Sequence, residues 1–350
     1  MVEFGASWCV LKPLAHRDLI KENAAFRSAL LHWFAQHGKD YPWRRTRDPY
    51  AILVSEVMLQ QTRLAVVLGK GYYDRFMQTF PDLVALAQAD EEKLLRTWEG
   101  LGYYRRARML QATARAVLDR HNGRFPESER ELLALPGVGR YTLGALRSFA
   151  FDLPTALVDG NVMRVFARLF DDKTPIDSPV GIRMAWERAE FLLDNDHPRL
   201  FNSALMELGQ SICRVGSPDC WQCPLAEFCR SREPELLPIK AKRTELTSID
   251  EHAIWVENEE GAILLQQEQG SRRKGMWRLP LRQADEVSAE DLLLQVSYGI
   301  TRYRVTLRIY RPRQWQAHDN DQWISAEMLE QLPMATPHRK VMRQLGERLA

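Results

Sequence analysis

From Lys21 to about Arg230 apolar residues recur every three or four positions, as in Phe26, Leu30, Leu31 and Phe34, or Leu94, Leu95 and Trp98. That spacing gathers them on one face of a helix. Asp48-Pro49 couples an N-cap aspartate to a proline at the first helical position and predicts a helix running to roughly Leu68. Pro81-Asp82 predicts a second start, and Pro126 with Ser128 a third. Between Glu233 and Thr247 the chain turns polar, with two prolines and lysines, and reads as a linker over 233–249. The period then changes. Ala253 to Val256, Ala262 to Gln266 and Tyr303 to Tyr310 are short, β-rich and partly alternating, as strands should be. The expected order is an N-terminal extension (1–20) with no assigned role, a helical domain (21–232), the linker and an α+β domain (250–350). There is no tandem repeat and no low-complexity tract.

A chain of 350 residues can build two domains whose cores need no disulfide support. Its 45% hydrophobic and 27% charged content is ordinary for a soluble globular protein. A net charge of +2 means that any nucleic-acid footprint must come from local patches and backbone amides. No stretch reaches the length of a membrane span and the N-terminus lacks a secretory apolar run, so the expectation is a cytoplasmic monomer without a membrane partner (nucleoid-associated in a bacterium).

Four of the five cysteines, Cys213, Cys220, Cys223 and Cys229, fall within 17 residues at the spacing C-x6-C-x2-C-x5-C. Thiolates this dense share a cation, because four ionised sulfurs would otherwise repel, and a reducing compartment keeps them free. Zinc and a [4Fe-4S] cluster both accept four cysteines. Structural zinc sites usually show two C-x2-C knuckles and only the middle pair here is that close, so the spacing favours iron-sulfur while zinc stays open. Arg214, Arg230 and Arg232 flank the cluster and suit a loop that meets phosphates. Cys9 stands apart.

Leu135 to Thr142 reads LPGVGRYT between two helical patterns. Gly137 and Gly139 let the backbone turn tightly, and the amides of Gly137, Val138 and Gly139 then suit a phosphate whatever the base sequence. An isolated turn of this kind is more often a plain helix connection. Asp159, in VDGN, precedes the apolar positions Val162, Val165, Phe166 and Leu169 and alone is an ordinary N-cap. Glu56 lies two turns into the helix opened by Asp48. If buried beside Leu53, Val57 and Leu59 it could hold a proton at neutral pH. Two carboxylates in unlike settings can divide acid and anion roles, the logic of glycosidic cleavage.

Together these segments resemble the endonuclease III superfamily of DNA glycosylases, and within it the adenine DNA glycosylases of the MutY type. The matching pieces are YPWR (Tyr41 to Arg44), SEVMLQQT (Ser55 to Thr62), WEGLGYYRRAR (Trp98 to Arg108), LPGVGRYT, VDGNVMRV (Val158 to Val165), ALMELG (Ala204 to Gly209) and the cysteines. The resemblance implies a mainly α, two-lobed helix-hairpin-helix fold. One lobe is a six-helix barrel over about 50–149, and the other combines 21–49 with 150–232 and carries a [4Fe-4S] cluster. A cleft between them takes double-stranded DNA containing A·8-oxoguanine or A·G, and the adenine is flipped out and its N-glycosidic bond hydrolysed. Glu56 is then the general acid at adenine N7, and an ionised Asp159 stabilises charge at C1′, electrostatically or as a transient covalent partner. Asn161 and Tyr141 position these groups. Trp43, Arg44, Leu59 and Glu207 surround the base, and Gln61 and Tyr103 enter the stack. Bifunctional relatives carry lysine where Tyr141 stands; a phenol cannot form the Schiff base that strand cleavage needs, so an abasic site is left.

From about Asp250 the chain resembles the MutT-like recognition domain of the same family, with GMWRLP (Gly275 to Pro280) as a strand motif. The stretch LRQADEVSAEDLLLQ that follows lacks the carboxylate-rich metal-binding helix of the hydrolases, which disfavours nucleotide hydrolysis. Ile300, Thr301 and Arg302 fall where the family has a Phe-Ser-His loop that checks the opposite base. Arg302 departs most from that pattern, being longer and always charged. The alternatives are a thymine or oxidised-pyrimidine glycosylase of the same fold and a non-catalytic iron-sulfur DNA-binding protein.

Overall fold

The computed structural model describes residues 23–241, 246–270, 273–300 and 302–349. Residues 1–20, with Cys9, and Thr301 lie outside them. In chain order the helices are α1 (Asn23–His37), α2 (Pro49–Leu59), α3 (Leu64–Gly69), α4 (Tyr72–Thr79), α5 (Leu83–Gln88), α6 (Glu91–Thr97), α7 (Arg105–His121), α8 (Glu129–Leu133), α9 (Arg140–Ala145), α10 (Gly160–Leu169), α11 (Pro179–Leu192) and α12 (Pro198–Ser211). Seven strands follow: β1 (Thr247–Ile254), β2 (Ile263–Gln267), β3 (Trp277–Arg278), β4 (Leu281–Arg282), β5 (Leu292–Ile300), β6 (Tyr303–Tyr310) and β7 (Asp321–Ile324). Helices α13 (Ala326–Leu329) and α14 (Thr336–Leu349) close the chain. None of the described helices is long and apolar enough to cross a membrane.

The elements form two compact units. One takes residues 23–47 and 140–241, the other 48–139 and 246–349. In the first, Phe26, Leu30 and Trp33 of α1 share a core with Val162, Val165, Phe166 and Leu169 of α10 and Leu205 and Leu208 of α12. Helices α10 and α12 approach closely at Gly209, where a Cβ would come within 2.7 Å of the Asn161 Cβ. The stretch read as linker is tied to this unit up to Ala241. Ile176 N–H donates to the Ile239 carbonyl at 3.0 Å and Ala241 N–H to Asp177 at 2.7 Å.

In the second unit, six helices run from Pro49 to His121 around buried residues such as Trp98, whose ring meets Phe76 edge-on at 5.7 Å. The Asp48 carboxylate caps α2 by accepting from Tyr50 and Ala51 amides at 3.0 and 3.4 Å. That helix stops at Leu59, not near Leu68: Gln60 turns extended (ψ 115°) and Gln61 takes a φ of 56°. Asp82 caps α5 through the Ala85 amide, as the sequence predicts.

The α+β part of this unit holds two sheets, ordered β4-β1-β6-β5 and β3-β2-β7, around Ala253, Leu265, Leu307, Ile309 and Leu345. Strand β1 begins at Thr247, inside the stretch read as linker, and runs parallel to β6. Instead of a long helix after GMWRLP there are two 3-10 turns, Ala284–Glu286 and Ala289–Asp291. The part docks on the helices through Glu99. Its carboxylate accepts from Arg339 Nε at 2.9 Å and Nη2 at 3.2 Å and from the Met334 amide at 3.3 Å.

Candidate functional site

Asp159 caps α10. One carboxylate oxygen accepts from the Val162 amide at 2.7 Å and the other from the Asn161 side-chain amide at 2.8 Å. The Asn161 oxygen in turn accepts from Arg164 Nη2 at 2.9 Å, and Arg164 Nε donates to the Cys213 carbonyl at 2.8 Å. Burial pushes the Asp159 carboxyl above its ordinary value, although those donors and the Arg164 charge favour the anion. The anion expected from the sequence is therefore held at an energetic cost.

The first unit also gathers Trp43, Arg44 and Glu207. Trp43 is buried and stacks on Tyr41 at 5.4 Å. Glu207 is fully buried, its Oε2 accepting from Arg44 Nη1 at 2.9 Å. Arg44 is clamped over the Tyr41 ring at 4.6 Å, and Arg199 fixes its backbone by donating to the Arg44 carbonyl at 2.7 Å. Two buried polar atoms lack a hydrogen-bond partner here, Glu207 Oε1 and the Tyr41 hydroxyl. Lys39 reaches Oε1 only at 3.9 Å. Such atoms are costly unless a ligand completes them. Tyr41 lies in the YPWR motif but an isolated tyrosine gives no sign of this.

In the second unit Glu56 is buried, 4% exposed, on the face of α2 beside Leu53 and Val57. Leu59, half-buried, ends that helix. Gln61 and Tyr103 are exposed and share a left-handed backbone, φ 56° and 48°. Such a backbone costs about 1–3 kcal/mol and persists only where the surroundings enforce it. The enforcer is Arg106, which sequence reasoning missed. Its Nη1 donates to the carbonyls of Val57 and Met58 at 2.9 Å each and to that of Gln60. Its Nη2 donates to Thr62 Oγ1 at 3.1 Å and the carbonyls of Leu101 and Gly102 at 3.0 and 3.2 Å. One cation thus satisfies the C-terminal carbonyls of α2 and ties both loops together. Burial brings its pKa down to about 10, so it stays charged at neutral pH.

A cavity of about 880 Å³ opens between these loops and the α+β part, lined by Gln61, Tyr103, Arg106, Arg273 and Ile300 among others. Ile300 reaches it from the end of β5. Arg302 is not among its lining residues: at the exposed hairpin tip it folds back on Tyr303, donating to the hydroxyl at 3.0 Å. Leu59 does not line the cavity either.

In the turn before α9 only Gly137 needs its glycine backbone, with φ 77°. A Cβ on Gly139 would meet nothing within 4 Å, so the expectation that both glycines are required is corrected. Val138 is buried and its amide already donates to the Leu135 carbonyl at 3.3 Å. That amide is spent within the turn rather than offered outward. Thr113 Oγ1 pins the turn through the Pro136 carbonyl at 2.5 Å. Tyr141 is half-buried at the second position of α9.

The four cysteines are free thiols. Among the described residues no group of three or more His, Cys, Asp or Glu side chains is gathered to hold a metal ion. The thiols nevertheless feel one another: Cys223 is pushed up to about 12, by burial first and then by the charges of Cys213, Cys229 and Cys220. Burial first, and then the neighbouring thiols, also raise Cys220 and Cys229, so three of the four resist ionisation in the absence of a cation that would offset their charge. Arg168 braces this loop, donating to Cys213 Sγ at 3.3 Å and to the Arg214 carbonyl at 2.7 Å.

Fold and residues together define the class. The chain belongs to the HhH-GPD superfamily of base excision DNA repair proteins, whose pattern matches residues 54–186. It is 44% identical over 223 residues to the adenine DNA glycosylase of Homo sapiens, a match covering 61% of this chain and 40% of that relative's length. The solved structure of a thermostable thymine-DNA glycosylase is 32% identical, with a TM-score of 0.56 over 61% of this chain and 98% of its own. A trapped endonuclease III-DNA covalent intermediate, an estranged-adenine complex, is 25% identical, with a TM-score of 0.51 over 61% of this chain and 99% of that one.

Proposed function

We propose that this chain is a monofunctional adenine DNA glycosylase acting on adenine opposite 8-oxoguanine or guanine in duplex DNA. The observation that carries the reading is Asp159, a carboxylate held by the Val162 amide and the Asn161 side chain within a setting that resists its charge. Developing positive charge at C1′ relieves that resistance, so the group stabilises the transition state more than the free protein. Glu56 protonates adenine N7 and the base departs neutral. Trp43, Arg44 and Leu59 are each assigned a contact with the base in this reading. The partnerless Glu207 Oε1 suits an adenine N–H as acceptor. Tyr141 helps position the sugar and, having no amine, leaves the strand intact. Gln61 and Tyr103 fill the gap in the stack, and Gly137 and Gly139, both exposed in the turn, meet phosphate through their amides.

Cys213, Cys220, Cys223 and Cys229 hold a [4Fe-4S] cluster in this reading, which when bound fixes their loop and neutralises their mutual repulsion. Metal analysis of the purified protein should return iron rather than zinc.

Single-turnover base release should be observed from A·8-oxoguanine and A·G duplexes, with breaks appearing only after alkali. Glu56→Gln should lower the rate by at least about a hundredfold while duplex binding persists. Unchanged turnover would remove the general acid, and a borohydride-trapped adduct would contradict the monofunctional reading.

A further inference from the structure

Arg273 lines the 880 Å³ cavity beside Gln61, Tyr103 and Ile300, and no step above uses it. Its guanidinium is set from behind. Nη1 meets His338 Nε2 at 3.2 Å, and the Tyr298 ring lies 5.4 Å beneath Cζ. The Tyr298 hydroxyl is itself anchored by donating to Glu251 at 3.0 Å. His338 is buried, 1% exposed, and burial with the charges of Arg273 and Arg278 brings its pKa down to about 3. It is therefore neutral, and Nε2 can accept. Among the described residues no carboxylate lies within ion-pair distance of Arg273. Arg106, on the same cavity, has both terminal nitrogens committed to oxygens of the chain. Arg273 has donors left over, because a guanidinium carries five N–H groups, of which one is committed to His338 and another bonds the Tyr298 side chain.

We propose that Arg273 is a specificity-determining residue of this cavity, donating a hydrogen bond to the O6 carbonyl of the purine opposite the excised adenine. The inference rests on the glycosylase reading, which brings that purine here between Gln61, Tyr103 and Ile300. Arginine facing a guanine O6 and N7 edge is the commonest specific base contact. O6 is common to guanine and 8-oxoguanine and absent from 2-aminopurine. In 8-oxoguanine N7 carries a hydrogen, so only the O6 half of the contact survives. Arg273 thus reads guanine-type identity rather than oxidation, and it narrows the margin between A·8-oxoguanine and A·G.

The test uses the full chain and duplexes with adenine opposite guanine, 8-oxoguanine or 2-aminopurine. Single-turnover base release is measured beside equilibrium binding of the same duplexes carrying a cleavage-resistant 2′-fluoro-adenosine. The unsubstituted protein should favour guanine over 2-aminopurine roughly tenfold, and Arg273→Met should erase that gap by slowing only the guanine-type duplexes. Arg273→Lys, the milder change, should keep part of the gap and serves if the Met variant fails to fold. A gap that survives both variants overturns the proposal. So does uniform weakening on all duplexes with the salt slope reduced by about one, the mark of a phosphate contact. O6-dependent binding without base release sinks the enzymatic reading alone; adenine release without O6 dependence sinks this inference alone.

Discussion

The Asp159 carboxylate and the Cys213 carbonyl are joined by two side chains, Asn161 and Arg164, through hydrogen bonds of 2.8, 2.9 and 2.8 Å. Whatever fixes the cysteine loop therefore fixes the orientation of Asn161, and through it the second oxygen of Asp159. Arg164→Ala should slow base release by roughly tenfold or more, as expected when a partner that orients a site is lost. Duplex affinity should hardly change. Removing the proposed cluster with a chelator should give the same split between rate and binding, and a parallel loss of both would argue for general unfolding instead.

Arg106 is the shared support of Gln61 and Tyr103. Arg106→Lys keeps the charge but cannot reach oxygens on both loops at once. The expected result is weaker extrusion of the base, read as reduced fluorescence of a 2-aminopurine placed at the flipped position. Arg106→Ala also uncovers α2 carbonyls and should lose about 2 kcal/mol of stability in denaturant melts.

Asp159 has a folded-state pKa above its ordinary value of 3.8. The folded chain thus holds its proton to higher pH than the unfolded chain. This group's contribution to stability is complete below the ordinary value and declines as pH rises through the folded value. Replacing it with a permanently neutral group removes that decline. The melting temperature of Asp159→Asn minus that of the unsubstituted protein should therefore increase from about pH 4 to pH 8. A pH-independent offset from the lost acceptor for Asn161 is compatible with this; a flat or falling difference is not. Base release, which in the proposed mechanism needs the anion, should fail on the acid side at a pH above the ordinary aspartate range.

Gly209→Ala places a methyl 2.7 Å from the Asn161 Cβ. Helices α10 and α12 must separate, which costs about 1–3 kcal/mol for an overpacked core. Because the atom displaced belongs to Asn161, base release should fall by more than the loss of folded protein explains, as active-site titration against melting data would show.

Glu99 and Arg339 form a nearly buried pair, with side-chain exposures of 13% and 7%. Glu99→Gln strands the guanidinium and should cost about 3 kcal/mol, since breaking one side of a buried pair leaves an uncompensated charge. Limited proteolysis should then cut between the helical and α+β parts of the second unit more readily.

Local chemistry made much of this protein legible. Asp48-Pro49 and Pro81-Asp82 open helices because capping depends on a few adjacent residues, and Ser128 precedes α8 without a side-chain cap bond. The four-cysteine spacing and the ordered motifs identified the family. The strand Tyr303–Tyr310 followed from its alternation, whereas β5 and β7 went unread, since their residues are mostly half-exposed and pair through partners far along the chain. Also hidden were the break at Gln60, whose cause sits 46 residues away in Arg106, and the start of β1 within an apparent linker, set by pairing with β6.

Residue type and spacing, then, determined the family and the helical and α+β halves, and singled out Glu56, Asp159 and the cysteines as candidates, because each is written in short-range pattern. Tertiary structure alone decided that Arg106 grips two loops, that Asn161 and Arg164 connect Asp159 to Cys213, and that Arg273 faces a cavity. An arginine reads the same in sequence whether it is solvated or buried, and only long-range packing settles which carbonyls or charges it meets.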